Sequence, residues 1–459
     1  MEGNTLNNSG DVKLKRTLTL PLLIMFGMAN TAPTAVTDDY GIMTNQTHGM
    51  IALAYAITTF ALFFTAYSYC QMVKEYPQAG SAYTYASKSI QPHIGFMTGW
   101  VLLIDYLLGP MICYLYMGTF INEYFPQVPM WLAVVISVII GAAVNIIGVR
   151  SASIVDTILV VAQMAIVLAT IIVAIKFVMD GGGDGKVFDA KAIYNPETFD
   201  MSDTLAACGI MCTCFLGFDA VTTLVEETKD PDRVMSKAVM GTLFGSGLIF
   251  IITGYALQIG WPNAYKEFED PNVGIFEFYE YVDAQTTSDV FFVIDNVASL
   301  VCAMAGLTAV TRILYGMGRD NILPKKFFGK LSPRFHTPVN NIVLVSLLSL
   351  SAILYEDNLY GADSLVSFGA ILGFIMVNIS VISHFFIRNK GESKNTFKHL
   401  IMPGIGAVIL IIVFINLEMP AKILGSIWLA IGFVYLLVKT KGLKELPPEM
   451  NLDEDQELE

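Results

Sequence analysis

Cys212-Thr-Cys-Phe-Leu-Gly-Phe-Asp-Ala-Val-Thr-Thr-Leu-Val-Glu-Glu-Thr228 places a carboxylate, Asp219, near the middle of an otherwise apolar, span-length segment. An ionised side chain at bilayer depth costs roughly 2.5 to 3.5 kcal/mol on insertion scales, so such a group is expected to face a protein cavity and a partner. Gly217, two residues earlier, weakens the helix where a break would free backbone groups for a ligand. A broken helix carrying an acid sets the terms for the rest of the chain.

Outward from that stretch, 54% of the 459 residues are hydrophobic and only 15% charged, with a mean hydropathy of +0.58. That composition excludes an ordinary soluble protein of this size. The apolar runs predict an all-α polytopic membrane protein with twelve transmembrane helices, at 18–42, 49–74, 94–121, 130–148, 152–178, 204–226, 236–259, 289–315, 338–355, 364–386, 399–416 and 420–438. No cleavable leader is expected, because the first run is too long, lacks a small-residue cleavage site and leads straight into another span. All but five of the 27 Lys and Arg fall on the side of both termini, which is therefore expected to be cytoplasmic; the exceptions are Lys176, Lys186, Lys191, Lys266 and Lys422. Asp180, Asp184, Asp189, Glu267, Glu269, Asp270, Glu277, Glu280 and Asp283 crowd the two long outer loops and contribute to the net charge of −13. The basic run Lys325, Lys326, Lys330 and Arg334 fits a cytoplasmic loop and needs no nucleic-acid partner. Six cysteines fall in expected spans, with no His or acid at zinc-ligand spacing, so no metal site and no cofactor is expected.

The first span is interrupted as well. It reads Leu-Pro-Leu-Leu-Ile-Met-Phe-Gly27-Met-Ala-Asn30-Thr-Ala-Pro33 and continues to Asp38-Asp39-Tyr40. Proline removes a backbone donor and strands carbonyls where water cannot reach them, so this break must line a cavity. Interrupted helices five spans apart, entering from opposite sides, are the signature of an inverted-topology repeat whose site lies where the breaks meet. The chain then divides into a tail at 1–17, a first repeat over 18–178, an outer loop at 179–203, a second repeat over 204–386, two additional helices over 399–438 and an acidic tail at 439–459. The third span adds a deep carboxylate in Gly99-Trp100-Val-Leu-Leu-Ile-Asp105-Tyr106. Asp105 and Tyr106 lie about 100° apart on a helix and cannot share a face. The segment from Tyr76 to His93 is too polar to span and is expected to be re-entrant or at the surface. Glu226 and Glu227 are expected at the cytoplasmic surface, as a gate or salt-bridge anchor.

Read together, Pro77-Gln-Ala-Gly-Ser-Ala-Tyr-Thr-Tyr-Ala, Lys88-Ser-Ile-Gln-Pro-His-Ile-Gly-Phe-Met-Thr-Gly-Trp100, Leu-Leu-Ile-Asp105-Tyr106-Leu-Leu, Phe-Leu-Gly-Phe-Asp219-Ala-Val-Thr-Thr-Leu and Leu-Tyr-Gly-Met-Gly-Arg319-Asp320-Asn resemble the amino acid–polyamine–organocation superfamily. Within it the chain looks most like the bacterial putrescine importers, and the resemblance runs across nearly all of the spans. It implies the leucine-transporter-type fold of five-plus-five inverted repeats, alternating access, a plasma-membrane location, and uptake of an organic cation with a proton as coupling ion. Amino acid carriers of the superfamily cradle the substrate carboxylate on a glycine-rich break in the first span. Gly27-Met-Ala-Asn-Thr-Ala-Pro33, with one glycine and a proline lacking a donor, departs from that pattern and suits a substrate with amines and no carboxylate.

A diamine needs an acceptor at each end, and Asp219, Asp105 and Asp38 are the candidates. Phe218, Tyr106, Trp100 and Tyr40 are candidate π-faces for an ammonium, with Gly217, Gly27 and Asn30 at the breaks. Asp219 could instead cap the second half-helix, Asp105 could be paired internally, and Asp38 with Asp39 could steer cations in a vestibule. Where some proton-coupled relatives place a lysine on the fifth span, this chain has Gln163, so Asp219 or Asp105 is the expected proton carrier. Sodium stays open through Thr308 and freed first-span carbonyls. An amino acid or amine exchanger and a substrate-sensing receptor are the competing functions. An enzyme is not expected, since neither the five histidines nor any Gly-x-Ser-x-Gly supplies a catalytic set. The lipid bilayer and a small organic cation are the expected partners; nothing in the pattern fixes an oligomeric state.

Overall fold

The computed structural model describes residues 18–77, 81–148, 153–319, 323–388 and 395–447. The tails expected at 1–17 and beyond 447 lie outside the described residues, as do Gln78, Ala79, Gly80, Asp320, Asn321 and the side chain of Glu226.

In chain order the helices are α1 (Leu20–Asn30), α2 (Ala35–Asp38), α3 (Tyr40–Gln46), α4 (Ile51–Glu75), α5 (Ser81–Ser89), α6 (Pro92–Tyr124), α7 (Met130–Ile147), α8 (Ser153–Met179), α9 (Met201–Cys214), α10 (Pro231–Gly260), α11 (Ala264–Glu267), α12 (Gly274–Tyr281), α13 (Gln285–Arg319), α14 (Lys325–Phe328), α15 (Val339–Ser349), α16 (Leu359–Val381), α17 (Met402–Asn416) and α18 (Met419–Lys439). Among the described residues no β-strand occurs. Among the described residues ten helices are long and apolar enough to cross a membrane, with α1 and α2 forming one. The sixth and ninth expected spans are shorter, because α9 stops at the Phe215–Gly217 break and α15 tightens into a 3-10 turn over Leu350–Tyr355.

Helix ends follow local chemistry. Asp200 caps α9, its carboxylate accepting from the N–H groups of Ser202 at 2.8 Å and Asp203 at 3.0 Å, donors that would otherwise be orphaned. Gly148 closes α7 in a left-handed conformation, φ +83°, where a side chain would be strained. Prolines at the first turns of α6, α10, α17 and α18 sit where their missing N–H is not needed.

The core is organised around α16, whose most apolar window is 78% buried, against 22% for α18. The contrast separates a central helix from one whose Ile427, Ile431, Val434 and Val438 face outward, as lipid-facing residues do. A polar knot holds α16 to α4. The Asn378 carbonyl accepts from Ser68 at 2.7 Å, and its amide donates to Thr65 Oγ1 and Phe374 O, both at 3.0 Å. With both ends of the amide bonded, the knot fixes register without a desolvation penalty. α5 packs between α6 and α16 with Ala82, Tyr85, Ala86 and Ser89 buried, so the segment after Tyr76 is an internal helix and not a surface one. On one end of the bundle, α3 is covered by the segment from α11 to α12; a Cβ at Gly41 would lie 2.1 Å from Pro271 O, so only glycine permits that approach.

Candidate functional site

The two interrupted helices meet. α1 runs unbroken through Gly27 to Asn30, and the chain then turns at Thr31–Thr34 with Ala32 at φ +43° followed by Pro33. Gly27 is therefore not the break; it lets α10 and the 3-10 segment Ala220–Glu227 pack close, since a Cβ there would meet Thr242 and Val221 at 2.3 to 2.8 Å. The sixth-span break centres on Gly217, φ +154°. A Cβ at Gly217 would lie 2.5 Å from Gly27 O and 2.9 Å from Thr31 N, which puts the two breaks in backbone contact. At their far ends the same helices pair through Leu18 and Thr228, with Leu18 N–H donating to Glu227 O and Lys229 N–H to Leu18 O, each at 3.0 Å.

Asp219 Oδ1 accepts the N–H of Gly217 at 3.1 Å. The carboxylate thus serves a donor freed on the near side of the break, and the 3-10 segment that follows has no side-chain cap. Asp105, from α6, is close enough to Asp219 for the two charges to repel. These two expected acceptors form one pair.

A second and larger acidic cluster lies further along α6, at Tyr116. Eleven residues at 1.5 Å rise separate it from Asp105 by about 16 Å, too far for one small diamine to bridge. Asp39 from the first span and Asp363 from α16 meet there, and Asp38 with Asp295 from α13 forms a neighbouring pair. Asp39, Asp295 and Asp363 are 6%, 1% and 7% exposed and lie in the core, while Asp38 is half-buried. The Tyr116 hydroxyl contacts Asp39 Oδ1 and also Asp363 Oδ2 at 2.8 Å. The Cys214 thiol, at the last turn of α9, donates to Asp39 Oδ2 at 3.2 Å, and Thr34 donates to Asp295 Oδ1 at 3.1 Å. The Asp38 and Asp295 carboxyls lie within hydrogen-bonding reach of one another. Asp38 Oδ1 and Asp295 Oδ2 are enclosed with no donor among the described residues. No lysine or arginine is buried among the described residues, so no fixed cation neutralises the cluster.

Four ionised carboxylates at this depth with no buried cation beside them would cost on the order of 10 kcal/mol on insertion scales, comparable to a whole domain's net stability. The arrangement is therefore built to take up positive charge, as protons or as a cationic ligand. Asp295 and Asp363 were not among the residues expected from sequence. Each carries the same signal as Asp219, an acid within or at the edge of an apolar run.

The other expected residues fall elsewhere. Trp100 stacks on Trp428 at 4.9 Å and Tyr435 at 5.7 Å, and the two tryptophans exchange hydrogen bonds, each indole N–H to the other's carbonyl at 2.8–2.9 Å. It joins α6 to α18 and does not meet the acids. Tyr40 turns toward Phe268 and Phe278. Phe218 is wedged between Tyr69 and Phe374. Tyr106 is 40% exposed, about 100° around α6 from Asp105, and Asn30 donates to Phe26 O at an exposed turn. The Thr308 hydroxyl lies 2.5 Å from Asn145 Oδ1 and 2.9 Å from Met304 O, facing α7 and not the first-span break. His93 contacts the carbonyl of Glu445 at 3.1 Å.

The amino acid permease family model matches residues 23–438, nearly all of this helical bundle. The chain belongs to the amino acid permease family. This permease is 37% identical over 451 residues to the low-affinity putrescine importer PlaP of Escherichia coli strain K12, covering 98% of this chain and 99% of that one. It is 25% identical to the methylthioribose transporter of Bacillus subtilis, over 93% and 94% of the two chains. It is 22% identical to the branched-chain amino acid permease BcaP of Lactococcus lactis, over 93% and 95%. Relatives this different in cargo on one fold leave the choice of substrate to the side chains that line the site.

Proposed function

We propose that this permease imports a diamine of the putrescine type by alternating access, coupled to protons, with both termini in the cytoplasm. The observation that carries the reading is the cluster of half-buried Asp38 with buried Asp39, Asp295 and Asp363, free of any buried lysine or arginine among the described residues. A diammonium ion supplies two donors and two positive charges to such a cluster, and charge-assisted hydrogen bonds in a dry site are the strong ones. An amino acid would bring its own carboxylate against four others. It would also find a poor cradle at Ala32-Pro33, where proline has no N–H and Thr31 N–H is already given to Gly27 O at 3.0 Å.

The Asp105–Asp219 pair is a second station on the same path, on the other side of the breaks. The cation leaves the four-acid seat for it when the first- and sixth-span half-helices rearrange. A five-plus-five inverted repeat with two additional helices accounts for the pairing of interrupted helices that face each other across Gly217. The similarity to PlaP over the whole chain supports the same reading.

A thermal-shift screen of the purified protein tests it. Putrescine at 100 times its Kd stabilises the folded state by about 2.7 kcal/mol, whereas leucine, methylthioribose and butylamine stabilise it less. Stabilisation by a neutral amino acid and none by any diamine would overturn the proposal.

A further inference from the structure

Tyr116 presents one hydroxyl to two carboxyl groups. Asp39 Oδ1 and Asp363 Oδ2 both lie at hydrogen-bonding distance from it, yet a tyrosine hydroxyl has a single proton to donate. One of the two contacts must therefore be made by a proton that a carboxyl supplies. Asp39 already has a second donor, the Cys214 thiol at 3.2 Å, itself contacted by the Tyr55 hydroxyl at 3.9 Å. Both donors point at Asp39 and mark it as the anion. Asp363, whose carboxyl meets only Tyr116 among the described residues, is left to give the proton.

Resting on the diamine reading above, we propose that Asp363 is the proton-binding residue of this permease. It holds a proton against the Tyr116 oxygen while the seat is empty and releases it to solvent when an ammonium takes its place. The groups that face Asp363 are Asp39 beside α3, Tyr116 of α6 and Cys214 of α9, with Tyr55 of α4, Asp38 of α2 and Asp295 of α13 in the next layer. Asp39 is the nearest carboxylate, and its two donors, Tyr116 and Cys214, occupy its oxygens, so its negative charge favours a proton on Asp363. The site differs from the Asp105–Asp219 pair in position, about 16 Å along α6, and in having a hydroxyl between the acids.

The inference is tested on the full-length protein in detergent, by calorimetric titration of putrescine in buffers of different ionisation enthalpy across pH 5 to 8. Wild type is expected to release about one proton per putrescine bound, and its Kd to rise about tenfold per unit fall in pH where Asp363 is protonated. Asp363→Asn, whose amide N–H imitates the protonated carboxyl, is expected to bind putrescine weakly at every pH, as protonated wild type does, with a flat pH profile and no proton release. Thr308→Ala, whose hydroxyl faces α7 away from the acids, is expected to keep the wild-type release. Should Asp363→Asn not fold, the infrared difference spectrum of wild type decides: putrescine must bleach a protonated-carboxyl band. Binding without proton release, release that persists in Asp363→Asn, or an unbleached spectrum would overturn the proton site alone. No putrescine binding at any pH would overturn the diamine reading instead, and the proton site with it.

Discussion

Replacing Gly217 by alanine probes the contact on which the site depends. The added methyl would lie 2.5 Å from Gly27 O, 2.8 Å from Thr31 Cγ2 and 2.9 Å from Thr31 N, at a φ of +154° that side chains rarely adopt. Two of those three atoms are backbone, so no rotamer change relieves the clash. Overpacking of this kind costs about 1–3 kcal/mol, and the strained backbone roughly 1–3 kcal/mol more. The sum, about 2–6 kcal/mol, rivals the margin by which a folded protein survives. Gly27→Ala is the comparator, since its Cβ would meet only the side chains of Thr242 and Val221, which can rotate. In thermal unfolding of the detergent-solubilised protein, Gly217→Ala is expected to melt well below wild type and below Gly27→Ala, and to lose putrescine uptake in proteoliposomes. A Gly217→Ala protein with wild-type melting and uptake would refute the contact between the two breaks.

Three further outcomes follow from the placement of single residues. Trp100→Leu, which dissolves the stack with Trp428 and Tyr435, is expected to destabilise the protein by about 3 kcal/mol while leaving the putrescine Kd of the folded fraction within about twofold; a calorimetric titration beside a melting curve separates the two. Asp219→Asn keeps an acceptor for Gly217 N–H and removes only the charge, so proteoliposome uptake is expected to slow on the order of tenfold while putrescine Kd moves little. Thr308→Ala is expected to leave uptake equal in sodium and in potassium buffers, because Thr308 is committed to Asn145 and Met304.

The sixth-span break was legible because its signals coincide in a few residues: aromatics around Gly217 and an acid two positions later. The first-span break was legible in kind but displaced, since Gly27 and Pro33 read alike as interruptions and only the folded chain shows one packing and the other turning. Asp105 and Tyr106 separated as helical geometry requires. Trp100 misled for a physical reason. An aromatic near a deep acid suits an ammonium equally well as another helix, and its partners Trp428 and Tyr435 lie more than three hundred residues away. Asp295 and Asp363 show the converse limit. Hydropathy reveals that an acid is deep, but which deep acids meet depends on how α2, α13 and α16 pack, and each alone resembles an isolated polar residue. Asp39 reads in the sequence, with Asp38, as a group that steers cations; its contacts with Tyr116 and Cys214 depend on how α6 and α9 pack against it.

A diamine is proposed to sit among Asp39 and Asp363, which meet at Tyr116, and the neighbouring Asp38 and Asp295. The most direct test of that seat compares putrescine with butylamine, the same carbon chain with one ammonium, on wild type and on Asp295→Asn. An ammonium held by a buried carboxylate is worth about 1.5–3 kcal/mol, so wild type is expected to prefer putrescine by at least about tenfold and Asp295→Asn to lose most of that preference. Equal affinity of wild type for both amines, or an Asp295→Asn protein that binds putrescine as wild type does, would contradict it.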